Sequence, residues 1–430
     1  MKTDQIQKVH KDWYKLDLSA IVYPTLQRRD FSSVYRLSVL LKEDIDPEIL
    51  QRAVNLTMPR FPTYKAAIRK GVFWRYLEPN DRPGPFVQED VKNPCQPMHF
   101  KGNNRYLIRI YYYHNRIALE AHHSLGDGTG GMCVLQTLTA TYLRLKGHSE
   151  IENGGFVLDI LGIPDPGELE DAYMKYANAK VCPPRPGEKT YRVRGTKEPF
   201  YTLNIIDGIM SVSEVMQVAK SYNATITEYL NSVLLYALMQ KQESEWHWKL
   251  RPVKIAMPVN LRRFFPSRTL RNFITMIYPG IDPRLGEYTF EEIVTQVHNY
   301  MRYYLNEKLL RGDITTNAET QRNPFIRIVP LFIKDLVVRQ FYTKIQDKNS
   351  SAGLTNMGAL KVPETMKPYI ERFDIYMGQP FSTRTNCAIA SFEDILTINF
   401  ASSIAETDVE RLFFRKLVQD GIHVKIESNR

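Results

Sequence analysis

The chain has 430 residues, of which 43% are hydrophobic and 24% are charged, and its formal net charge is +10. This composition is that of a globular protein, and the length exceeds what one ordinary hydrophobic core supports, which predicts two domains of about 200 residues each. No apolar run reaches the roughly 18 residues that a membrane-spanning helix needs. The amino terminus also lacks the apolar core of a signal peptide, so we expect a cytoplasmic protein without a transmembrane segment.

The positive charge and the cysteines limit the expected partners and compartment. An excess of basic residues suits an anionic partner such as coenzyme A, an acidic carrier protein or an anionic membrane surface. The basic residues form no tract and no nucleic-acid-binding module, so we expect no nucleic acid partner. The four cysteines, Cys95, Cys133, Cys182 and Cys387, have no paired spacing, which predicts reduced thiols.

The first half of the chain alternates predicted strands and helices. A strand over residues 34–41 precedes a helix with Asp46 as its N-cap. A hairpin then joins residues 106–113, which are rich in aromatic and β-branched side chains, to residues 117–123. After this hairpin, apolar residues recur at spacings of three and four and predict a helix that begins near Gly130.

Glycine and proline interrupt regular structure repeatedly between about residues 146 and 191. We therefore place a crossover there, between one half at residues 1–180 and another at residues 181–430. The second half restarts as the first does, with a strand followed by a capped helix. This repetition predicts an α/β fold built from two halves of similar architecture.

The second half contains several predicted helices. Two long helices are expected over residues 287–310 and 325–345, and Pro330 should kink or interrupt the second. Three capping boxes predict further helix starts: Ser211-x-x-Glu214, Thr225-x-x-Glu228 and Thr407-x-x-Glu410.

Two adjacent histidines, His122 and His123, stand at the end of the hairpin and just before the predicted helix. Side chains alternate along a strand, so the two rings cannot both face one cavity. A neutral imidazole at this turn can take a proton from a hydroxyl or amine that attacks a carbonyl, and can return it to a leaving thiolate. We take His123 as this general base and expect the other ring to pack.

Gly126, Asp127 and Gly128 complete the turn. The aspartate is too close to His123 along the chain to act as a second catalyst on the far side of a substrate. We expect it to pair with an arginine and hold the loop. The two glycines would allow the backbone its sharp turn.

This stretch is open to three other interpretations. Residues 126–131 match the G-x-G-x-x-G pattern of a dinucleotide-binding loop, but the preceding strand belongs to a hairpin, and Asp127 would face a pyrophosphate with negative charge. A metal site is less favoured still, because alternation separates the two imidazoles and no further His or Cys lies at ligand spacing. A histidine beside apolar residues is also often a core side chain without chemistry.

The pattern His-His-x-x-x-Asp-Gly at residues 122–128 resembles the signature of a superfamily of acyltransferases. This superfamily contains chloramphenicol acetyltransferase, peptide-synthetase condensation domains, plant BAHD acyltransferases and the yeast-type alcohol acetyltransferases. Over nearly its whole length the chain looks similar to bacterial relatives of the last group. The resemblance implies two chloramphenicol-acetyltransferase-like α/β sandwich halves arranged as a V. It also implies an interdomain tunnel that reaches His123 from both sides, and a chain that is complete as a monomer.

The resemblance implies that an arginine of the second half pairs with Asp127. It would be the first arginine after a buried strand at residues 252–260, which is Arg262, with Arg263 and Arg271 as alternatives. Residues 373–380 only loosely match the Asp-Phe-Gly-Trp-Gly element of the plant enzymes. We expect them to form a structural loop without chemistry.

Further residues are implied to contact the substrate. Thr355 or Asn356, at a strand end that faces the reaction centre in this superfamily, would donate a hydrogen bond to the developing oxyanion. We also place His122 and Gly128 among the substrate-binding residues. The residues that hold coenzyme A are not indicated.

The implied activity is transfer of an acyl group from acyl-coenzyme A, with acetyl-coenzyme A as the first expectation, to a small-molecule alcohol or amine. No acyl-enzyme and no metal are implied. One alternative is a condensation-type enzyme that uses an acyl group on a carrier protein. Thr129 and Gly130 stand where condensation domains commonly carry serine, and no carrier domain is fused. The other alternative is a non-catalytic binding protein of the same fold.

Overall fold

Three β-sheets and the helices packed on them organise the chain. The computed structural model describes residues 13–28, 31–179, 188–245, 249–378 and 383–430. The strands are β1 (Tyr14–Lys15), β2 (Val34–Leu41), β3 (Ala66–Lys70), β4 (Arg75–Pro79), β5 (Val87–Glu89), β6 (Ile108–Tyr113), β7 (Arg116–His122), β8 (Asn204–Ser211), β9 (Val253–Asn260), β10 (Ile274–Ile277), β11 (Gly280–Ile281), β12 (Ala352–Ala359), β13 (Ile370–Met377), β14 (Thr385–Phe392), β15 (Ile395–Ser402) and β16 (Lys425–Ser428). The α-helices are α1 (Tyr23–Leu26), α2 (Pro47–Thr57), α3 (Gly128–Lys146), α4 (Ala172–Tyr176), α5 (Val212–Ser221), α6 (Ile226–Ser244), α7 (Phe290–Tyr304), α8 (Glu307–Arg322), α9 (Pro324–Arg327), α10 (Leu331–Asn349) and α11 (Asp408–Gln419). This mixture confirms the predicted α/β class.

A five-stranded sheet in the order β13-β2-β7-β6-β5 carries the motif loop. Its centre is the antiparallel pair β2 and β7, in which Val34 lies opposite His122. Every residue of β2 is buried, because the strand is covered on both faces. Helix α3 packs on β2 and β7 and against helix α2, so most of its side chains are buried as well. The loop between β7 and α3 is therefore held by two rigid elements.

The larger sheet has the order β10-β9-β12-β14-β15-β8-β16, with β11 also paired to β9. Strand β12 runs parallel to both of its neighbours, β9 and β14. Helix α6 lies against this sheet, and its apolar side chains join those of the strands in a second core. The remaining sheet is small and contains β1, β4 and β3.

One strand of the second half completes the sheet of the first half. Residues 370–377 form β13, which pairs antiparallel with β2 at the edge of the five-stranded sheet. The expectation of a structural loop over residues 373–380 is therefore wrong as far as Met377, while residues 379 and 380 lie outside the described residues. These residues form a strand because its side chains point to opposite faces in turn. Phe373 and Ile375 share one face and are buried in the hydrophobic core of the first half. The division into residues 1–180 and 181–430 stays a prediction.

Most predicted helices are present, with two differences in detail. The chain is interrupted at Pro330, between α9 and α10, as predicted. The helix expected over residues 287–310 is instead two helices, because α7 ends at Tyr304 and α8 begins anew with Asn306 as its N-cap. In the sequence the second helix start is marked only by Asn306, and apolar periodicity does not detect such a cap.

The three capping boxes form to different extents. At Thr225 both hydrogen bonds of the box are made. Ser211 caps its helix, but the side chain of Glu214 turns to His423 instead of closing the box. The box at Thr407 does not form, because Glu410 accepts a hydrogen bond from Thr385 Oγ1. A stronger partner in another element thus overrides a local signal.

Cys95, Cys133 and Cys387 are buried free thiols, as predicted, whereas Cys182 lies outside the described residues. The amino-terminal residues on which the signal-peptide expectation rests also lie outside them. Among the residues that the structure describes, no helix is both long and apolar enough to cross a membrane.

Candidate active site

The motif loop, residues 122–128, turns the chain from the end of β7 into helix α3. Asp127 is the N-cap of this helix, and its Oδ1 accepts hydrogen bonds from the backbone N–H groups of Thr129 at 3.1 Å and Gly130 at 3.3 Å. These donors would otherwise lack a partner at the first turn of the helix. The apolar periodicity predicts a helix start near Gly130, two residues later, and does not reveal this capping role.

Asp127 and Arg262 form the ion pair that the sequence predicts. Arg262 Nη1 donates to Asp127 Oδ2 at 2.8 Å, and its Nη2 donates to Oδ1 at 3.3 Å. Phe273 N also donates to Oδ2, at 2.8 Å. The remaining guanidinium donors bind Thr269 O, Arg271 O and Asn260 Oδ1. The pair therefore ties the start of α3 to the chain that follows β9.

The two alternative arginines lie elsewhere. Arg263 is exposed. Arg271 is buried and lies 3.6 Å from the carboxylate of Asp17. Neither pairs with Asp127, so Arg262 alone fills the predicted position.

Of the two motif glycines, Gly126 is required for space, and neither adopts an unusual backbone conformation. Neither Gly126 nor Gly128 has a positive φ, so the expected reason for these glycines is wrong. A Cβ at Gly126 would lie 2.4 Å from Leu270 O and 2.5 Å from the hydroxyl of Tyr64, which no side chain tolerates. A Cβ at Gly128 would lie 3.0 Å from the flexible end of Met357. Close approach of the second half of the chain thus selects glycine at Gly126.

The two histidines of the loop have different environments. The side chain of His122 is 0% exposed, its Nδ1 accepts a hydrogen bond from Ser124 N at 3.2 Å, and its ring packs edge-on against Phe100. His123 is partly exposed. This difference confirms that one of the two rings packs, while the position of His123 in the reaction site stays a prediction. The complete burial of His122 argues against its predicted contact with substrate.

The ring of His123 is held between two tyrosines. The Tyr23 ring stacks on it at a centroid distance of 4.8 Å, and the Tyr35 ring lies tilted at 4.6 Å. The backbone N–H of His123 donates to Ser33 O, which fixes the main chain. Tyr23 lies on α1 and Tyr35 on β2, so two elements far apart from the motif in sequence orient the imidazole. Neither tyrosine was predicted.

Asn272 connects His123 to a buried carboxylate. Its Nδ2 donates to His123 O at 2.9 Å and to Asp17 Oδ2 at 3.1 Å. The Oδ1 of Asn272 and the Nδ1 of His123 are both buried, and neither makes a well-formed hydrogen bond. A buried polar atom of this kind is often part of a functional site. The only signal in the sequence was that Asn272 directly follows Arg271 in a polar stretch after a buried strand.

Both histidines are neutral at pH 7. Burial lowers the pKa of His123 to about 4, although the charge of Asp127 and the side-chain amide of Asn272 act in the opposite direction. Burial, followed by the neighbouring His123, lowers the pKa of His122 to about 3. A neutral imidazole is the form that accepts a proton, so His123 is in the protonation state that a general base needs.

Of the two candidates for an oxyanion donor, Asn356 is already engaged. Its Nδ2 donates to Thr227 Oγ1 at 2.8 Å, and its Oδ1 accepts from Gly358 N at 2.7 Å. Within the described residues the hydroxyl of Thr355 makes no hydrogen bond. Strand alternation places Thr355 on the face opposite Leu354, which is buried in the second core. The hydrogen bonds thus distinguish Thr355 from Asn356, whereas the sequence did not favour either one as the oxyanion donor.

Further contacts join the motif loop to the large sheet. Asn260, at the end of β9, donates through Nδ2 to Thr129 Oγ1 at 3.2 Å. Met357 on β12 reaches Gly128, the remaining predicted substrate contact, which is partly exposed. The ends of β9 and β12 therefore meet the start of α3.

Two cavities are outlined by the described residues. One is an open surface depression of about 550 Å³ on helix α7, lined by Glu291, Glu292, Thr295, Gln296, Asn299 and Tyr300, and the other is a narrow, more enclosed crevice beside Val193 and Lys241. Neither includes a residue of the motif loop, so the V-shaped arrangement and the tunnel to His123 stay predictions. Within the described parts of the chain, no three His, Cys, Asp or Glu side chains form a group that would hold a metal ion.

Comparison with known proteins identifies the fold. No protein-family model and no curated protein sequence matches the chain. Among solved structures, TRI101 of F. sporotrichioides in complex with coenzyme A and T-2 has a TM-score of 0.63 and 12% identity, covering 98% of this chain and 100% of that one. TRI3 trichothecene 15-O-acetyltransferase from Fusarium sporotrichioides has a TM-score of 0.60 and 13% identity, with coverages of 95% and 94%.

A condensation domain is similar to the same extent. The starter condensation domain of rhizomide synthetase RzmA, solved with C8-CoA and Leu-SNAC, has a TM-score of 0.59 and 11% identity, with coverages of 97% and 96%. The likeness extends over nearly the full length of each chain. The chain therefore has the fold of these acetyltransferases and condensation domains, which confirms the predicted fold.

Proposed function

We propose that this chain, which has the fold shared by acetyltransferases and condensation domains, transfers an acyl group from acyl-coenzyme A to an alcohol or amine. The observation that carries the proposal is His123. It is neutral and partly exposed, and its ring is held between Tyr23 and Tyr35 on a loop anchored by an ion pair. A base in this setting needs no reorientation before it accepts a proton.

The proposed reaction is a direct transfer without an acyl-enzyme. The acceptor oxygen or nitrogen attacks the thioester carbonyl while His123 Nε2 takes the acceptor proton. The carbonyl π electrons move to oxygen and form a tetrahedral oxyanion. When the carbon–sulfur bond breaks, the electron pair leaves with the thiolate, and the imidazolium returns the proton to sulfur. The products are the ester or amide and free coenzyme A.

We assign the other site residues to positioning and charge stabilisation. Asp127 and Arg262 hold the loop and do not exchange protons with the substrate. In the reactive tautomer, Asn272 Oδ1, which otherwise has no well-formed hydrogen bond, accepts one from His123 Nδ1, and this leaves Nε2 as the basic atom. Thr355 donates its hydroxyl to the oxyanion, since Asn356 is engaged by Thr227.

A thiol-release assay tests the proposal. Acetyl-coenzyme A and longer acyl-coenzyme A donors are each incubated with the protein and a panel of alcohols and amines, and free thiol is measured over time. We expect thiol release that depends on the acceptor and saturates with both substrates. Thiol release in one stoichiometric burst without acceptor would contradict direct transfer and indicate an acyl-enzyme.

A second candidate is a condensation-type enzyme, which the likeness to the rhizomide synthetase domain favours. It would take the acyl group from the phosphopantetheine arm of a carrier protein. The same assay with an acyl carrier protein as donor separates the two, because the proposal expects faster turnover with acyl-coenzyme A. Saturable binding of either donor without turnover would instead support a non-catalytic binding protein.

A further inference from the structure

A group of large apolar side chains on one side of the molecule is exposed. It comprises the hairpin tip at residues 72–74 and the outward side chains of residues 325–337, and we call it the apolar face. Its members that expose more than half of their surface are Val72, Phe325, Ile328, Phe332, Leu336 and Val337. Phe73, Trp74, Ile326 and Ile333 are exposed to a smaller extent. Contiguous apolar exposure on this scale marks an interaction site in most proteins.

The hairpin and the helices form one continuous surface. Leu331 N donates to Val72 O at 2.8 Å, and Lys334 Nζ donates to Phe73 O at 2.9 Å. Arg75, just after the hairpin tip, makes two hydrogen bonds to the carboxylate of Asp335 at 2.8 Å and 2.6 Å. The apolar side chains therefore lie on a rigid platform.

Helix α10 is amphipathic in its first turns. Phe332 and Leu336 form one exposed row at a spacing of four residues, and Ile333 and Val337 form the next. Leu331, Lys334, Asp335 and Val338 are partly buried towards the protein. The exposed side is thus the more apolar one, which is the reverse of an ordinary surface helix.

The charge around the apolar face is positive. Lys70, Arg327 and Arg339 are exposed at its edges. Asp335 is the single acidic residue within residues 69–75 and 322–340, and Arg75 engages it. An apolar surface with a basic rim matches the boundary between the headgroups and acyl chains of an anionic bilayer.

We propose that the apolar face docks on an anionic membrane surface, with Phe325, Phe332 and Leu336 inserted among the acyl chains and Arg327 against the headgroups. The exposed tryptophan, Trp74, suits the headgroup level, where its ring meets both environments. Pairing of two copies through this face would bring basic rims together without an acidic partner. An acidic protein would match the rim as well, but the rows of exposed apolar side chains would then have to find an equally apolar surface on that protein.

Helix α1 connects the apolar face to the motif loop. Asp335 accepts a hydrogen bond from Thr25 Oγ1 at 2.9 Å, and Arg339 Nε donates to Thr25 O at 2.8 Å. Thr25 lies on α1, the helix that also carries Tyr23, whose ring stacks on His123. The platform that would contact the bilayer thus supports a wall of the candidate active site.

Vesicle sedimentation of the full chain tests the proposal. The protein is mixed with vesicles of phosphatidylcholine alone or with about one third phosphatidylserine, and the bound fraction is measured. We expect binding to the anionic vesicles that weakens as salt is added. Replacing Phe332→Glu together with Leu336→Glu should lower the partition coefficient at least about tenfold, and Arg327→Gln should lower it about fivefold.

The matched control replaces Leu161→Glu together with Leu285→Glu. These leucines are 89% and 81% exposed and lie outside the apolar face, so the control changes the net charge equally. We expect it to lose only the part of the binding that depends on net charge. Equal loss in both double variants, or no sedimentation of the unaltered chain, would overturn the proposal. So would a shift to dimers in size-exclusion chromatography that the Phe332→Glu and Leu336→Glu changes abolish, or an acidic protein that binds the face while vesicles do not.

Discussion

The carboxylate of Asp127 accepts hydrogen bonds from two backbone N–H groups of α3, from Phe273 N and from both Nη atoms of Arg262. Four residues earlier, the Nδ1 of His123 is buried without a well-formed hydrogen bond, and so is the nearby Oδ1 of Asn272. Fully paired polar groups stabilise a loop, whereas buried polar groups without a protein partner cost free energy and leave room for a further hydrogen bond. The comparison divides the motif into an anchor around Asp127 and a reactive part around His123.

The largest expected effect separates the two parts directly. Replacing His123→Ala should lower turnover by about 100-fold or more, because the base is removed, and should leave the melting temperature nearly unchanged. The matched change His122→Ala should lower the melting temperature and leave turnover nearly unchanged, because it opens a cavity in the core and removes the acceptor for Ser124 N. Thiol release and thermal unfolding measure both. If the His122→Ala variant lost turnover at normal stability, His122 would be the base and His123 the packing residue.

The pH dependence of activity sharpens the assignment. His123 has its pKa lowered to about 4, so it stays unprotonated and active as pH falls until about that value. At pH 5 an ordinary histidine with a pKa of about 6.5 would retain only about 3% of its basic form, a loss of about 30-fold. We expect kcat/KM to remain within about twofold of its neutral value at pH 5. Circular dichroism at each pH verifies folding, and an acid limb near pH 6.5 would contradict the buried environment.

A change in the anchor around Asp127 should lower the free energy of unfolding. Replacing Asp127→Asn keeps a side chain that caps α3 but removes the charge opposite Arg262, whose side chain is 11% exposed. We expect the free energy of unfolding to fall by about 2 kcal/mol, with some loss of rate. Asp46→Asn is the matched control, because Asp46 caps α2 in the same way without an arginine. Equal effects of the two changes in chemical denaturation would disprove the role of the ion pair.

The smallest expected effect concerns Asn272, whose side chain donates to His123 O and to Asp17 Oδ2. Replacing Asn272→Ala should lower kcat about tenfold with little change in KM, because His123 loses the partner that fixes its tautomer. The acid limb should also move to lower pH, since the amide of Asn272 raises the pKa of His123. A purely structural residue would change stability without moving the pH profile. The pH profile of the variant is therefore the decisive measurement.

The anchor could be predicted from the sequence better than the reactive part. The motif itself, the pairing of Asp127 with Arg262 and the helix caps at Asp46 and Thr225 depend on local patterns or on a signature. Tyr23 could not be predicted in the same way, because it reaches His123 only through the packing of α1. Local sequence carries no record of such long-range contacts.

The same limit explains the errors in the fold. Strand β13 joins the sheet of the first half through pairing with β2, more than 300 positions earlier in the chain. At Thr407 a good capping box is present, but Glu410 binds Thr385 on another strand. In each place a tertiary partner decides the outcome, and sequence periodicity cannot reveal that partner.

The most direct test of the central claim is a structure of the protein with coenzyme A and an acceptor analogue bound. The account predicts the acceptor hydroxyl or amine within about 3 Å of His123 Nε2, with the thiol of coenzyme A beside it. The hydroxyl of Thr355 should point at the position of the oxyanion. A thiol bound away from the motif loop, with His123 still enclosed by Tyr23 and Tyr35 and out of reach of the acceptor, would contradict the role of this histidine as the base.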